Sequence, residues 1–274
     1  MKQDRLHALL PRYAADWRTL CLLALLTVLF AWSFMGKVPL LTMPLMVLCL
    51  TACVAKHNHT HCATFHSRFL NRALDLWLTL LTGTSTTSIR IPHQVRHHGR
   101  NQSPDDFVRV SLVYKMPAWQ ALLSYVPLVI CETWKWNAHD LNAKRRPALW
   151  RAQRQERLLL WAFILTGLAL DARQFLLTFV PPWLAAQWFL IAVNLPQHDG
   201  CDSSHADEQS HNVVGRFSNW LFLNNGYHSA HHGRPSLHWS LLPKYHETHL
   251  RVPREHCAAS LGGLWVRWWR YRTS

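Results

Sequence analysis

Two long apolar segments near the N-terminus carry no charged residue, and they restrict most strongly what this chain can fold into. They cover residues 19–36 and 39–55, and Gly36-Lys37-Val38 separates them. A helix needs about 20 mostly apolar residues to cross a bilayer, and each segment approaches that length. The first segment is not a cleavable signal peptide, because it lacks a small-residue cleavage site and leads directly into the second. The pair therefore predicts a transmembrane helical hairpin.

A second pair of apolar segments lies in the C-terminal half of the chain. They cover about residues 157–171 and 174–195, with a turn predicted at Asp171-Ala172-Arg173. Pro181-Pro182 interrupts the last segment and predicts a kink or a break there. The two pairs together predict an all-α integral membrane protein with four transmembrane helices in two hairpins.

Residues 110–131 form a fifth apolar stretch, but this one contains Lys115, Pro117 and Pro127. If the stretch crossed the membrane, it would place the histidines at 228–232 on the opposite side from those at 57–61 and 93–98. These histidine motifs, described below, could then not share a site. We therefore interpret it as a helix that lies in the membrane interface.

The distribution of positive charge indicates the orientation. Only Lys37 and Arg173, of 29 Lys and Arg residues, lie in the two short hairpin turns. The positive-inside rule then predicts that both termini and the segments 56–156 and 196–274 lie in the cytoplasm, and we interpret the membrane as a bacterial inner membrane. These segments form one cytosolic helical region of a single domain that covers residues 1–274.

Composition agrees with a membrane protein. Hydrophobic residues make up 49% of the chain, yet its formal net charge is +14. The excess of basic residues does not indicate nucleic-acid binding, because no nucleic-acid-binding motif accompanies it. Seven cysteines are scattered without a CxxC pair, so we expect no disulfide framework and a reducing compartment.

Nine histidines fall into three short boxes and one isolated motif beside the predicted membrane segments. They are His57 and His61; His93, His97 and His98; His228, His231 and His232; and His198 in Asn194-x-x-x-His198. Spacings of three and four residues place side chains on one face of a helix. Neutral imidazole binds iron, copper, nickel and zinc. Nine ligands exceed the coordination shell of one ion and suit two, and a site of this kind beside a membrane indicates iron that reacts with dioxygen.

The motifs resemble those of the histidine-box membrane desaturase and hydroxylase superfamily, and most closely those of bacterial fatty-acid desaturases. The resemblance rests on HNHTH (57–61), HQVRHH (93–98), NLPQH (194–198) and NNGYHSAHHGRPSLHWSLLP (224–243). It extends from the first predicted span to about Pro243. The order of the boxes and the hairpins between them match the family pattern.

The resemblance implies a non-haem di-iron centre held by all nine box histidines. It also implies that Asn194 reaches an iron through water. Carboxylates should orient several of the imidazole rings. The candidate carboxylates are Asp75, Asp105, Asp106, Asp199 and Asp202.

The resemblance further implies an oxidoreductase that uses dioxygen and an external electron donor, of the ferredoxin type or similar. Its substrate would be a lipid or acyl chain, into which it would introduce a double bond. Hydroxylation of an alkane or acyl chain, acetylenic-bond formation and oxidative decarboxylation are alternatives within the superfamily. A non-enzymatic membrane metal-binding protein is a further alternative, but it would need polar ligands inside the spans.

The histidines outside the boxes are expected to lie at the surface or to form hydrogen bonds. They are His59, His66, His139, His205, His211, His238, His246, His249 and His256. The C-terminal segment mixes tryptophans with arginines over residues 265–272. Such a segment suits either the lipid headgroup region or a packed terminal helix, and the sequence leaves both open.

Overall fold

The computed structural model describes residues 9–140 and 144–274, and most of them are helical. The N-terminal Lys2 and Arg5, which contribute to the predicted charge bias, and the side chain of His139 lie outside the described residues. The α-helices are α1 (Asp16–Gly36), α2 (Thr42–His61), α3 (Arg68–Thr82), α4 (His98–Arg100), α5 (Ala118–Asp140), α6 (Pro147–Ala192), α7 (Asn194–His198), α8 (Arg216–Leu221), α9 (His228–Gly233), α10 (Leu242–His249) and α11 (Leu261–Thr273).

The chain groups into two compact units, each taken over its described residues. The first unit comprises Met1–Ile89 and Ala143–Phe189, and the second comprises Arg90–Asn142 and Leu190–Ser274. The first unit thus holds the predicted first hairpin and most of the later apolar segments. The second holds histidine boxes two and three.

Three helices in the described part of the chain are long and apolar enough to cross a membrane. They are Asp16–Gly36, Pro39–His61 and Pro147–His198. The apolar segments that the sequence analysis identified as spans all lie within these helices. The third helix is long enough to contain both predicted C-terminal spans.

The long helix α6 is interrupted at Asp171, where the backbone is extended (φ −158°, ψ 94°). Its two halves fold back on each other. The ring centroid of Phe163 in the first half lies 5.7 Å from that of Phe175 and 5.2 Å from that of Phe179 in the second half. A Cβ added at Gly167 would overlap the Phe175 ring, so glycine permits this close approach. The turn is therefore where the sequence predicted it.

Pro181 and Pro182 do not break the second half of α6, although the sequence predicted a kink or break there. The backbone stays helical on both sides of this pair. Side chains in the same half bond carbonyls at the end of α3: Trp183 Nε1 donates to Leu81 O (3.1 Å), and Gln187 Nε2 donates to Thr82 O (2.9 Å). These contacts anchor the helix in spite of the two missing backbone donors.

The end of α3 depends on Gly83. Its φ of +68° is a left-handed conformation that favours glycine, and an added Cβ would overlap the Trp183 ring.

We expect Gly83→Ala to lower the free energy of unfolding by ~1–3 kcal/mol. Thermal unfolding in detergent would measure the change. Gly262→Ala is the matched control, because a Cβ there meets no atom within 4 Å. Equal melting temperatures for the two variants would contradict the packing described here.

The second unit is built around helix α5. Residues at helical spacing on one face of α5, namely Ala118, Ala121, Tyr125 and Val129, are buried in a core with Trp268. The helix predicted over 110–131 is present in the second part of that range only, and its location in the membrane interface stays a prediction. A 3₁₀ helix occupies Val110–Val113, and the α-helix begins at Ala118, directly after Pro117, since proline is well tolerated at a helix start, where its missing N–H would be unpaired anyway. Pro127 lies inside the same helix.

The C-terminal tryptophan–arginine segment forms α11, which packs against the end of α7. Trp268 is buried and donates from Nε1 to Asp199 Oδ2 at 2.8 Å, and Arg272 forms an ion pair with the same carboxylate. Of the two readings left open by the sequence, the packed terminal helix is therefore correct. Trp269 and Tyr271 lie on its exposed face.

Candidate metal centre

Box two lies on an unusual helical segment. Arg90–His97 is a π-helix, whose hydrogen bonds connect residues five apart, and it continues into the short α4. The wider turn brings residues i and i+5 to one face, and the Nε2 atoms of His93 and His98 lie 3.1 Å apart. The neighbouring His97 points to a different set of histidines. π-turns are frequent at functional sites for this reason: they re-aim single side chains.

Box three lies on α9, where helical spacing sorts its histidines. His228 and His232 are four residues apart, and their Nε2 atoms are 3.2 Å apart. His198, at the end of α7, places its Nε2 atom 2.9 Å from Nε2 of His228. His231 lies beside box two instead, with its ring centroid 4.5 Å from that of His98.

These side chains form two adjacent clusters in the second unit. The first cluster contains His97, His198, His228 and His232, whose candidate ligand atoms all lie within 4.8 Å of one another. The second cluster contains His93, His98 and His231, which meet the same distance limit. The clusters are neighbours, since the rings of His98 and His232 are 4.5 Å apart. Seven of the nine predicted ligands are thus brought together here.

Box one lies in the first unit, at the C-terminal end of α2. His57 and His61 are one helical turn apart, and their ring centroids are 4.9 Å apart. The choice of this pair over His59 as metal ligands stays a prediction. His59 instead bonds Thr64 through Nδ1 (2.9 Å), and its Nε2 lies 3.5 Å from Asp75.

One carboxylate orients a histidine of the first cluster. Asp106 Oδ2 lies 2.9 Å from Nδ1 of His97, and both residues are fully buried. Backbone N–H groups of Gln102 and Val108 also donate to this carboxylate. Burial alone would raise the pKa of Asp106, but the interactions with His97 and with these two N–H groups lower it below its ordinary value. The ionised carboxylate therefore keeps a proton on Nδ1 of His97 and leaves Nε2 with its lone pair.

The donor atoms fit a transition-metal ion. Nε2 of His97 is buried and has no hydrogen-bond partner in the described part of the chain. A buried polar atom without a partner is costly, and a bound metal ion would satisfy it. Burial and the neighbouring histidines also hold the pKa of His232 well below its ordinary value, so its imidazole is neutral and able to bind a metal.

His198 is oriented in a similar way by the main chain. Its Nδ1 lies 3.1 Å from the carbonyl oxygen of Gln209, which accepts the ring N–H. Nε2 is therefore the free ligand atom, and this is the atom that approaches His228. A carbonyl or carboxylate bonded to the second ring nitrogen is the usual arrangement around metal-binding histidines.

The other four candidate carboxylates have different partners. Asp105 pairs with Arg96 and Arg100, and Asp202 accepts hydrogen bonds from Ser204 and lies beside His205. Asp199 accepts from Trp268 and pairs with Arg272, both on α11. Asp75 lies beside His59. The prediction that carboxylates orient box histidines is thus supported at Asp106.

Asn194 lies at the start of α7, four residues before His198. Its side-chain Nδ2 donates to the carbonyls of Ile191 (3.0 Å) and Leu190 (3.4 Å). The structure thus gives the amide a local structural role, and its expected link to a metal through water stays a prediction.

Two buried charged residues near box one were missed by the sequence analysis. Lys56 donates from Nζ to the hydroxyls of Thr82 and Thr84, both at 2.8 Å. Glu156 accepts from Thr87 N at 2.8 Å and pairs with Arg72. Both residues hold the segment that follows α3 and leads to box two. The sequence did contain signals for both roles. Lys56 directly precedes the box histidine His57, and Glu156 is an acidic residue at the polar start of a predicted span.

Replacing Asp106 should weaken the first cluster without removing a ligand. We expect Asp106→Asn to reduce the affinity of this cluster for a transition-metal ion by about 10- to 100-fold, because the amide no longer holds the proton on Nδ1 of His97. Asp105→Asn is the matched control, since its carboxylate pairs with Arg96 and Arg100. Metal titration would check this, and equal effects of the two substitutions would argue against the assigned role of Asp106.

The comparisons with known proteins agree with the motifs. A family model described as fatty acid desaturase matches residues 32–261, which include all three boxes and the Asn194–His198 motif. A search of curated proteins found no match.

Proposed function

Because this chain belongs to the fatty acid desaturase family, we propose that it is an oxygen-dependent membrane enzyme that introduces a double bond into a fatty acyl chain. Two observations support this most directly: the two adjacent histidine clusters of the second unit, and the three described helices that are long and apolar enough to cross a membrane. In the proposed reaction, a –CH₂–CH₂– unit, dioxygen, two electrons and two protons yield –CH=CH– and two water molecules.

The proposed cofactor is a pair of non-haem iron ions. His97, His198, His228 and His232 would hold one ion, and His93, His98 and His231 would contribute to the other. The family resemblance adds His57 and His61 to the ligand set, and Asn194 through water. Bound iron supplies the redox chemistry that dioxygen activation requires.

The chain's own residues would prepare this centre in three ways. Asp106 and the Gln209 carbonyl hold protons on the Nδ1 atoms of His97 and His198, so that both Nε2 atoms are available as ligands. Burial keeps His232 neutral. His97, His198 and His228 are buried as well, and a buried site favours neutral imidazole over charged ligands.

We propose a membrane topology of four spans in two hairpins, with both turns on one side. The supporting contacts lie in the first unit, where Lys37 of the first turn and Asp171 of the second form an ion pair at 3.1 Å. Gln174 also donates to the Ser33 carbonyl at 2.8 Å. In this proposal the positive-inside rule would put both termini and the histidine clusters in the cytoplasm.

Helix α5 would lie along the membrane interface in this topology. Its outward face carries exposed apolar side chains, including Trp119, Leu123, Ile130 and Trp134, opposite its buried face. A helix that packs on the protein with one face and exposes apolar side chains on the other suits the boundary between headgroups and acyl chains.

Lipid analysis would test the proposed reaction. The gene should be expressed in a bacterium, and total fatty acids and hydrocarbons should be compared by gas chromatography–mass spectrometry. We expect a new unsaturated acyl chain, absent from cells that express His232→Ala at the same level. A different product would indicate a different reaction. A hydroxylated acyl chain or alkane would indicate hydroxylation, an acetylenic acyl chain would indicate acetylenic-bond formation, and a terminal alkene would indicate oxidative decarboxylation. Bound metal without any oxygen-dependent product would favour a non-enzymatic metal-binding protein.

A further inference from the structure

A second group of potential metal ligands lies in the second unit, apart from the histidine boxes. It contains Cys201, His211 and His256, whose ligand atoms all lie within 4.8 Å of one another. The two imidazole ring centroids are 4.7 Å apart. The sequence analysis treated both histidines as surface or hydrogen-bonding residues, so their convergence is a finding of the structure.

Backbone pairing brings the two histidines together. The strands β1 (Asn212–Val213) and β2 (Cys257–Ala258) form a parallel pair in which Asn212 is opposite Cys257. His211 and His256 each directly precede one of these partners. The ladder register therefore places them side by side, although 45 positions separate them in the sequence.

Cys201 lies close to the two histidines, three residues after the end of α7. Its Sγ lies 3.5 Å from the carbonyl oxygen of Gln197, and the backbone N–H of His211 donates to that oxygen at 2.7 Å. One carbonyl thus anchors both the thiol and the histidine backbone. All three side chains are only partly exposed.

One ring nitrogen of each histidine is buried without a partner among the described residues. Nδ1 of His211 and Nδ1 of His256 are both buried, and neither has a hydrogen-bond partner among the residues that the structure describes. Burying two ring nitrogens without partners is costly, and a metal ion is a partner that two imidazoles and a thiol can share.

We infer that Cys201, His211 and His256 bind a single zinc-type ion that is separate from the histidine clusters. One thiolate and two imidazoles form a ligand set that zinc accepts in tetrahedral sites, with a fourth position for water or another donor. Hard cations such as magnesium and calcium prefer oxygen ligands.

The ion would stabilise the segment that positions an iron ligand. The segment 199–211 connects α7 to β1 and contains Gln209, whose carbonyl accepts the ring N–H of His198. An ion bound by Cys201 and His211 would link the start of this segment to its end. Because His256 directly precedes β2, the same ion would also link the segment to that strand. The role of the site is therefore structural, and it does not depend on the reaction proposed above.

Metal analysis of the full-length protein in detergent would test this inference. After incubation with zinc and removal of excess metal, Cys201→Ala should contain about one zinc ion per chain fewer than the unaltered protein. The matched control is Cys131→Ala, which removes an exposed cysteine on α5 and should not change the zinc content. Equal zinc contents in the unaltered protein and Cys201→Ala would overturn the inference.

Cobalt provides a second readout that identifies the ligand. With Co²⁺ as the probe, the unaltered protein and Cys131→Ala should show thiolate-to-cobalt charge-transfer absorption, and Cys201→Ala should lack it. His256→Gln should weaken cobalt binding while keeping the thiol, which guards against misfolding of a single variant. Absence of the charge-transfer band in the unaltered, cobalt-loaded protein would exclude Cys201 as a ligand and refute the site.

Discussion

Replacing His228 with alanine should abolish turnover while the protein still inserts into the membrane. The His228 Nε2 atom lies 2.9 Å from that of His198 and 3.2 Å from that of His232, so it is central to the first cluster. Loss of a direct ligand should cost more than loss of a residue that only orients one, so we expect a decrease of more than about 100-fold. Product formation and iron content per chain would be measured on the same preparation.

His249→Ala is the control for this substitution. His249 is exposed on α10, where its ring stacks on Tyr245 and contacts Thr248. Its loss should leave turnover and iron content nearly unchanged. If both variants lost activity to the same extent, the ligand assignment would be wrong. If His228→Ala kept two irons per chain and full activity, the di-iron proposal itself would fail.

Purified protein supplied with NAD(P)H and an acyl substrate should form no product until a separate electron donor is added. The proposed reaction needs two electrons, and these 274 residues contain neither a cysteine array for an iron–sulfur cluster nor a glycine-rich dinucleotide-binding motif. Addition of a ferredoxin and its reductase should restore turnover from background to a measurable rate. Full activity with NAD(P)H alone, in a preparation free of other proteins, would contradict this expectation.

The donor's charge should influence the rate. The chain has a formal net charge of +14, and nearly all of its Lys and Arg residues lie outside the hairpin turns. An acidic carrier would therefore be attracted to the basic surface, and added salt should screen the attraction and slow turnover. A rate independent of ionic strength would exclude electrostatic docking but not the need for a donor.

The apolar spans and the helical spacing of box three could be predicted from the sequence alone. An uncharged segment of membrane length has few alternatives to a helix, because each backbone polar group must be satisfied within the segment. The three- and four-residue spacings of His228, His231 and His232 depend only on helix geometry, and these residues do lie on α9. The family resemblance rests on the same local motifs, and the family match confirms it.

Local patterns could not identify which neighbours each of these residues meets. The π-helix that separates His97 from His93 and His98 depends on hydrogen bonds five residues apart, which spacing does not specify. The selection of Asp106 as the carboxylate on His97 arises from a loop that returns nine residues later. Five aspartates were equal candidates because a side chain's partner is set by packing rather than by its position in the chain.

The Cys201–His211–His256 group is the clearest case in which only the tertiary structure decided. Its members look like ordinary polar residues in the sequence, since no ligand spacing connects them. They meet because two short strands pair in parallel and because one carbonyl anchors two segments. Spans and helix faces follow from short-range rules of the backbone, whereas sites assembled by strand pairing and loop return depend on contacts between residues far apart in the chain.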